Sequence, residues 1–512
     1  MSTPPSRSAI YAVTPHKNWV LAAEKLKKEC GIRPTYWECP TDLKSNIEKS
    51  FPETIAHKSV NATKGVPPRD LNLDSPFEYP IDSSLIEDLA SGQLLALKMM
   101  DRIDLGNVIQ SESFGYNERV RHYYRLLSYW SNIFDYLRPD IAIFGSTPHL
   151  VSDYILYLVA ERNGVETIIF TPTSLPDTFY LRSSIFDSTD FSASEGITDQ
   201  SIPNDIQSYL NKLEMDYSVS KPSYMRNTTT DTGVKSVIES FRNHLIPSSK
   251  KRLKELVFSR DFLRWKVPVD MKFGSNKIEN SAILWTQWMY YLIKSRYYLK
   301  KLRNDYEKKV ASVSLEEDYI YFPLHYQPER TTSPEGNHYV DQTLAIKLLS
   351  NCADDKLIYI KEHPSQFDPQ LKGQLGRTSW EYDDLYSHDS VRFIPLDANA
   401  YTLIDNADAV ATITGTAGWE AINRGTAALV FGSPWYRDAP NVYDVETYED
   451  IEQALELIGK PTTTDPKTLE EFVKSILSIG YRGKLTKATT PRTNQAETIH
   501  TAIKNWIDTE IS

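Results

Sequence analysis

The stretch DAVATITGTAGWEAINRGTAALVFG, Asp408–Gly432, decides the fold. Asp408–Thr414 (DAVATIT) is an apolar run of strand length. A Gly/Thr turn follows, then a helical stretch at Ala417–Arg424, then a second apolar run, ALVFG, at Ala428–Gly432. Two strands apolar on both faces, joined through a helix, make the repeating unit of a parallel sheet covered on both sides.

The same alternation extends upstream. YIYFP (Tyr319–Pro323), KLIYIK (Lys356–Lys361) and VRFIP (Val391–Pro395) read as strands, and Asp341–Asn351 and Ala400–Asn406 as helices. A doubly wound α/β domain is therefore expected from about Leu315 to Tyr481. Ala9–Val13 and Thr35–Cys39 flank a helix near Trp19–Glu29. Asp140–Gly145 and Glu166–Thr171 read as strands beside helices at Asn117–Leu137 and His149–Asn163. That is a second α/β domain. The resulting plan is an N-terminal domain over 1–190, a loop-rich and basic helical insertion over 191–315, a C-terminal domain over 316–490 and a final helix over 491–512.

The chain has 512 residues, too many for one compact core. Hydrophobic residues make up 40% and charged residues 24%, a globular composition. The net charge of −11 argues against general nucleic-acid binding, because the phosphate backbone repels such a chain. Locally the sign reverses: Lys250–Lys309 holds 16 Lys/Arg against 6 Asp/Glu. The three cysteines, Cys30, Cys39 and Cys352, have no zinc spacing and imply neither a disulfide scaffold nor a structural metal. No apolar leader or run of ~18–20 apolar residues is visible, so a cytoplasmic location is expected. Within 281–309, Ser281–Leu302 reads as an amphipathic helix with a basic end. Packing on the body is the preferred account, and peripheral contact with a membrane surface the second.

Ligands of open parallel sheets bind at the carboxyl ends of the strands. In the C-terminal domain those ends carry His325, Gln327 and Glu329, then Lys361 and His363, then Thr414, Gly415, Thr416, Gly418 and Glu420, then Ser433 and Tyr436. The turn at Thr414–Gly418 opens a helix, whose free N–H groups and dipole favour an anion such as phosphate. Glu420, placed in the first helical turn, is suited to sugar hydroxyls. Alternation places Lys361 and His363 on one face, where both can meet a phosphate or carboxylate. His325 and Glu329 are candidates for general acid/base work. In the N-terminal domain His149 and Asp153 are spaced i,i+4, and Asp153 is a candidate base or nucleophile. No acid pair of metal-binding type stands at a strand end. Asp354-Asp355 precede a strand, and Asp383-Asp384 read as loop.

FPLHYQPE (Phe322–Glu329), IKEHPSQF (Ile360–Phe367) and GTAGWEAINRGTAALVFGSPWY (Gly415–Tyr436) resemble the bacterial capsule polysaccharide biosynthesis proteins, which include Kdo transferases and related nonulosonate transferases. The resemblance implies a GT-B architecture, two Rossmann-like domains facing across a cleft. It also implies a nucleotide sugar bound mainly by the C-terminal domain; with no metal-binding acid pair at a strand end, binding without metal or cofactor is expected. Lys361, His363 and the Thr414–Gly418 turn would then hold phosphate, and Glu420 the ribose. His325 and Glu329 would lie near the donor sugar. Ser433 and Tyr436 would complete the donor site, and the last helix would cross back to the first domain. A CMP-activated ulosonic acid is the favoured donor, Kdo or a nine-carbon acid such as pseudaminic or sialic acid. The sequence departs from Kdo-type relatives at Trp435-Tyr436-Arg437-Asp438. The acceptor would be a glycan or glycolipid, the reaction would retain configuration with Asp153 as nucleophile, and the basic helix would face the inner membrane. Two alternatives remain: a nucleotide-sugar 2-epimerase-like isomerase, and a non-catalytic glycan-binding protein of assembly or export.

Overall fold

The computed structural model describes residues 6–68, 71, 79–102, 115–187, 201–213, 215, 266–269, 272–273, 276–277, 281–312, 314–353, 356–368, 373–458, 466–485 and 495–510. The pair Asp354-Asp355 and the basic stretch 250–265 lie outside the described residues.

Strands β1 (Arg7–Ala12), β2 (Ile32–Cys39), β3 (Ile55–Lys58), β4 (Ile141–Phe144), β5 (Glu166–Pro172) and β6 (Thr178–Arg182) build the first sheet. Two short hairpins follow, made of β7 (Lys266–Val269) with β10 (Ser281–Leu284) and β8 (Lys272–Phe273) with β9 (Asn276–Lys277). The second sheet holds β11 (Tyr319–Pro323), β12 (Leu357–Lys361), β13 (Val391–Phe393), β14 (Ala409–Thr412), β15 (Ala427–Val430) and β16 (Val442–Asp444), and β17 (Tyr481–Arg482) returns to the first.

The first sheet has the order β17-β6-β5-β4-β1-β2-β3, with β1 to β5 parallel, β6 antiparallel to β5, and β17 antiparallel to β6. The second has the order β13-β12-β11-β14-β15-β16, parallel throughout. The protein is thus α/β with two Rossmann-like, GT-B-like doubly wound sheets. In each, the winding reverses beside the first strand, between β1 and β4 and between β11 and β14. Such a reversal opens a crevice at the carboxyl ends of the strands.

The strand bodies explain the burial. Ile10, Tyr11 and Ala12 of β1 and Ile320, Tyr321 and Phe322 of β11 are buried, as strands covered on both faces require. The domains also share apolar contacts. Leu175 and Tyr180 of the first pack with Trp419, Phe472 and Ile476 of the second. Val340 joins the core formed by Trp130, Tyr154 and their neighbours. The chain then returns: helix Gln495–Glu510 lies on helix Lys17–Cys30, with Ile499, Ala502 and Ile503 in one core with Trp19, Ala22 and Leu26. Lys25 pairs with Glu497, and Trp506 Nε1 donates to Glu166 Oε1 at 3.0 Å.

Several sequence expectations are corrected. The loop-rich start of the insertion expected over 191–315 contains a helix, Asn204–Leu213, whose Ile206 and Leu213 are buried against the Trp419 cluster. Its i, i+3, i+7 apolar spacing (Ile206, Tyr209, Leu213) outweighs the polar composition around it. The helix expected from Ser281 starts at Trp285, because Ser281–Leu284 pairs with Lys266–Val269. Asp383 and Asp384 lie in helix Ser379–Tyr386, paired with Lys309 and Lys347.

Ile503 is fully buried. Ile503→Ala should therefore cost about 2–5 kcal/mol, read as a lowered urea midpoint. A loss below about 1 kcal/mol would mean the returning helix is not part of that core.

Candidate functional site

The parallel register pairs Pro323 of β11 with Lys361 of β12. His325 and His363, each two residues further on, therefore emerge side by side at the rim. Both line one cavity of about 150 Å³ at the β11/β14 reversal, together with Glu329, Thr414, Gly415, Thr416 and Glu420. Tyr321, Pro323, Ala400 and Ile404 form its apolar wall.

His325 is buried, and its Nε2 lies 2.8 Å from Thr412 Oγ1. Burial, then the neighbouring His363 and Arg377, pull its pKa down to about 3, so it is neutral at physiological pH. Thr412 Oγ1 also accepts the Gly415 amide at 3.1 Å, which links the ends of β11 and β14. His363 caps the short helix Pro364–Phe367, its Nδ1 accepting the Ser365 amide at 3.1 Å. With Nδ1 as the acceptor, Nε2 is the ring nitrogen that carries a proton.

Helix Thr416–Asn423 opens at this cavity with Gly415 at its N-cap and no side-chain cap. The amides of Thr416 and Ala417 have no acceptor within the helix, and both residues border the cavity. Space here excludes side chains. A Cβ on Gly415 would stand 2.8 Å from Thr412 Oγ1, and one on Gly418 2.4 Å from the Tyr436 hydroxyl. Glu420 is buried in the second helical turn rather than the first, and Thr416 Oγ1 donates to its Oε1 at 3.1 Å. Glu329 also borders the cavity, its Oε2 accepting from Thr331 Oγ1 at 3.2 Å.

Six expected site residues stand elsewhere. Lys361 donates to the Ala398 carbonyl and is buried behind the rim, because the chain turns after the strand and separates it from His363. Gly418 and Tyr436 pack on each other, and Tyr436 props the turn by donating to the Gly415 carbonyl. Ser433 lies between the domains and donates to the Phe186 carbonyl at 3.3 Å. His149 precedes the helix, which begins at Val151, so it does not share a helical face with Asp153. Its Nδ1 lies 2.7 Å from the Thr147 carbonyl. Asp153 is buried and caps that helix, its Oδ1 accepting the Leu150 amide at 2.7 Å. Burial pushes its carboxyl well above the usual range. Sealed from solvent and engaged as a cap, Asp153 has no open path to a substrate, which the expected nucleophile role requires.

Sequence reading passed over the support of the site. Glu362 and Arg377 form a buried ion pair, Oε2 to Nε 3.0 Å. Glu362 Oε1 accepts the His363 amide at 2.9 Å, and Arg377 Nη2 donates to the His325 carbonyl at 3.2 Å. Glu362 sat inside the quoted IKEHPSQF, whereas nothing local marked Arg377.

A second cavity, of about 550 Å³, opens at the β1/β4 reversal. Val13, Gly145, Ser146 and Pro172 from the strand ends line it, closed by Lys484 and Leu485 of the returning chain and by Arg330 of the second domain. Among the described residues no cluster of His, Cys, Asp and Glu could hold a metal ion, and no helix is long and apolar enough to cross a membrane.

Residues 330–449 match the family described as capsule polysaccharide biosynthesis protein, in the stretch that carries the Thr414–Glu420 turn. No curated protein matches the chain. Among solved structures it is similar to KpsC of Thermosulfurimonas dismutans, a beta Kdo 2,7 transferase, at 12% identity over 73% of this chain and 88% of that one, with a TM-score of 0.28. It is also similar to UDP-GlcNAc 2-epimerases. The Methanocaldococcus jannaschii protein is 12% identical over 92% of this chain and 99% of that one, TM-score 0.24. The Neisseria meningitidis protein is 12% identical over 98% and 99%, TM-score 0.22. At scores this low the fold stands on the two sheets and their strand order alone.

The low pKa of His325 fixes a sign. Unfolded, the ring takes up a proton as pH falls through about 6.5, and folded it does so only near 3. Stability tied to this ring is therefore intact at neutral pH and declines as pH falls through that window. His57 and His122, lowered to about 4, act in the same direction. His325→Gln should lose less stability between pH 7 and 5 than the parent, by about 2 kcal/mol, measured as urea unfolding at both pH values. An equal loss in both proteins would contradict a buried neutral His325.

Proposed function

We propose that the protein is a glycosyltransferase of surface polysaccharide assembly, drawing its sugar from a nucleotide donor held at the β11/β14 reversal. One observation carries this: a single cavity there joins two imidazoles, two carboxylates and a helix N-terminus without a side-chain cap. That set suits a departing phosphate. The Thr416 and Ala417 amides and the His363 Nε2–H would meet its growing charge without a metal. Glu420 would accept from ribose hydroxyls, and the apolar wall at Tyr321, Pro323 and Ile404 would take the base. Glu329 and His325, at the inner edge, would face the transferred sugar, with Glu329 the candidate proton acceptor.

The favoured donor is a CMP-activated ulosonic acid, Kdo or a nonulosonic acid such as pseudaminic or sialic acid. The family match over residues 330–449 and the His-rich rim support it. Retention of configuration belongs to the same reading, through the resemblance to β-Kdo transferases. The acceptor, a glycan or glycolipid, would occupy the cavity of about 550 Å³ at the β1/β4 reversal. That cavity favours transfer over 2-epimerisation, which needs no acceptor.

Thermal-shift titration with CMP, UDP, GDP and their sugars tests the donor. CMP should stabilise most, and His363→Ala and Glu420→Ala should each reduce the shift. Undiminished shifts in both variants would remove the two residues from the site. Turnover of a donor sugar to its epimer with no acceptor present would favour the isomerase.

Peripheral contact with the inner membrane is part of the proposal. Helix Trp285–Glu307 turns Tyr290, Ile293 and Tyr297 outward, 64%, 58% and 64% exposed. Lys294 Nζ lies 5.7 Å from the Tyr290 ring centre and 5.9 Å from that of Tyr298. Aromatic rings beside cationic tips suit an anionic lipid interface. Flotation with phosphatidylglycerol vesicles should carry the protein upward at low salt, less so for Lys294→Glu. No salt-sensitive flotation would end the membrane contact.

A further inference from the structure

We propose that Arg330 reads a negative charge on the acceptor, so that the acceptor is an acidic saccharide bearing a carboxylate or a phosphate. The inference rests on the glycosyltransferase reading and adds the chemical class of its second substrate.

Arg330 belongs to the second domain but lines the cavity of the first. Its Nη1 donates across the interface to Ser146 Oγ at 3.3 Å. Its neighbours on either side, Glu329 and Thr331, line the other cavity. The Thr331 carbonyl accepts from Thr414 Oγ1, which ties that side of the loop to the anion-binding turn. Three consecutive residues thus form the wall between the two cavities. A group held by Arg330 sits one residue from the donor pocket, where an acceptor has to be.

The charges that line this cavity do not cancel. Glu335 is shared between Arg330, Nε to Oε1 3.7 Å, and Arg182, Nη2 to Oε1 3.9 Å. Two guanidinium groups thus share one carboxylate, and of the three only Arg330 lines the cavity. On the opposite wall Lys484 and Asp177 offset each other at 3.7 Å. The balance among the described lining residues is therefore one unit positive. Neither contact to Glu335 is a close, two-pronged pairing. A guanidinium holds a carboxylate or phosphate best through two parallel N–H bonds, so an incoming anion can make the stronger contact. The remaining lining, Ser146, Thr173 and Thr178 beside Val13, Pro15 and Phe179, offers hydroxyls and apolar faces, the mixture a sugar ring presents in return.

The test is saturation-transfer NMR on the full chain with saturating nucleotide, titrating D-glucuronate, glucose 6-phosphate and glucose. At least one anionic sugar should bind more tightly than glucose, with affinity falling as salt rises. Arg330→Gln should weaken that sugar about tenfold or more and leave glucose unchanged, and Arg330→Lys should fall between. The arm that responds tells carboxylate from phosphate. The nucleotide thermal shift should be kept in both variants, since Arg330 lines only the acceptor cavity, and this also shows that they fold. Anionic sugars that bind no better than glucose, or bind equally to Arg330→Gln, overturn the inference. Absence of any nucleotide shift in the parent protein would instead strike the glycosyltransferase reading itself.

Discussion

The geometry of the candidate donor site depends on a charge pair that lines neither cavity. Glu362 and Arg377 are both sealed from solvent, their side chains 0% and 2% exposed. Burial alone would drive the Glu362 proton back on and raises its pKa. Arg377, the Tyr382 hydroxyl at 2.7 Å and the His363 amide counter that by stabilising the carboxylate. Arg377 in turn is held charged by Glu362 and Glu381. A pair of this kind adds little net stability, since desolvation consumes most of the Coulomb gain. What it provides is position. It holds the His325 carbonyl through Arg377 and the His363 amide through Glu362, so the backbones of two rim imidazoles beyond separate strands are tied to one pair.

The wider arrangement follows from strand order. Both sheets reverse their winding beside the first strand, and each reversal leaves a crevice at the carboxyl ends. The loop after β11 then has two duties, because Glu329 and Thr331 face one crevice and Arg330 the other. The chemistry proposed for the protein needs this adjacency. A leaving phosphate must be stabilised in one compartment while a nucleophile is oriented in the next, and a wall one residue thick keeps them within reach.

Much of this was legible in the sequence. Apolar runs bounded by Gly, Pro and Thr marked the strands of the second domain, and the Gly415 turn stood out because the chain passes there from period two to period 3.6. The expected residues that line one cavity, His325, Glu329, His363, Thr414, Gly415, Thr416 and Glu420, all follow strand ends, where position along the chain predicts position in space. Short edge elements escaped. β3, β16 and β17 read IAHK, VYD and YR, with no apolar run to mark them. Failures in the site came from orientation. Lys361 was placed by strand alternation, which stops where the strand stops, and Asp153 by an i,i+4 relation to a histidine outside the helix. Arg377 could not be found at all, since its partner lies 15 residues away across a turn and its role exists only once both are buried.

The route of the chain has one more consequence. The first domain is finished by β17 and by helix Gln495–Glu510, which fills the groove over Trp19 and Leu26. During synthesis that domain leaves the ribosome first, yet it must wait with part of its core uncovered until the whole second domain has been made. The order of translation therefore runs opposite to the order of completion, and the second domain becomes the earlier of the two able to close its own core.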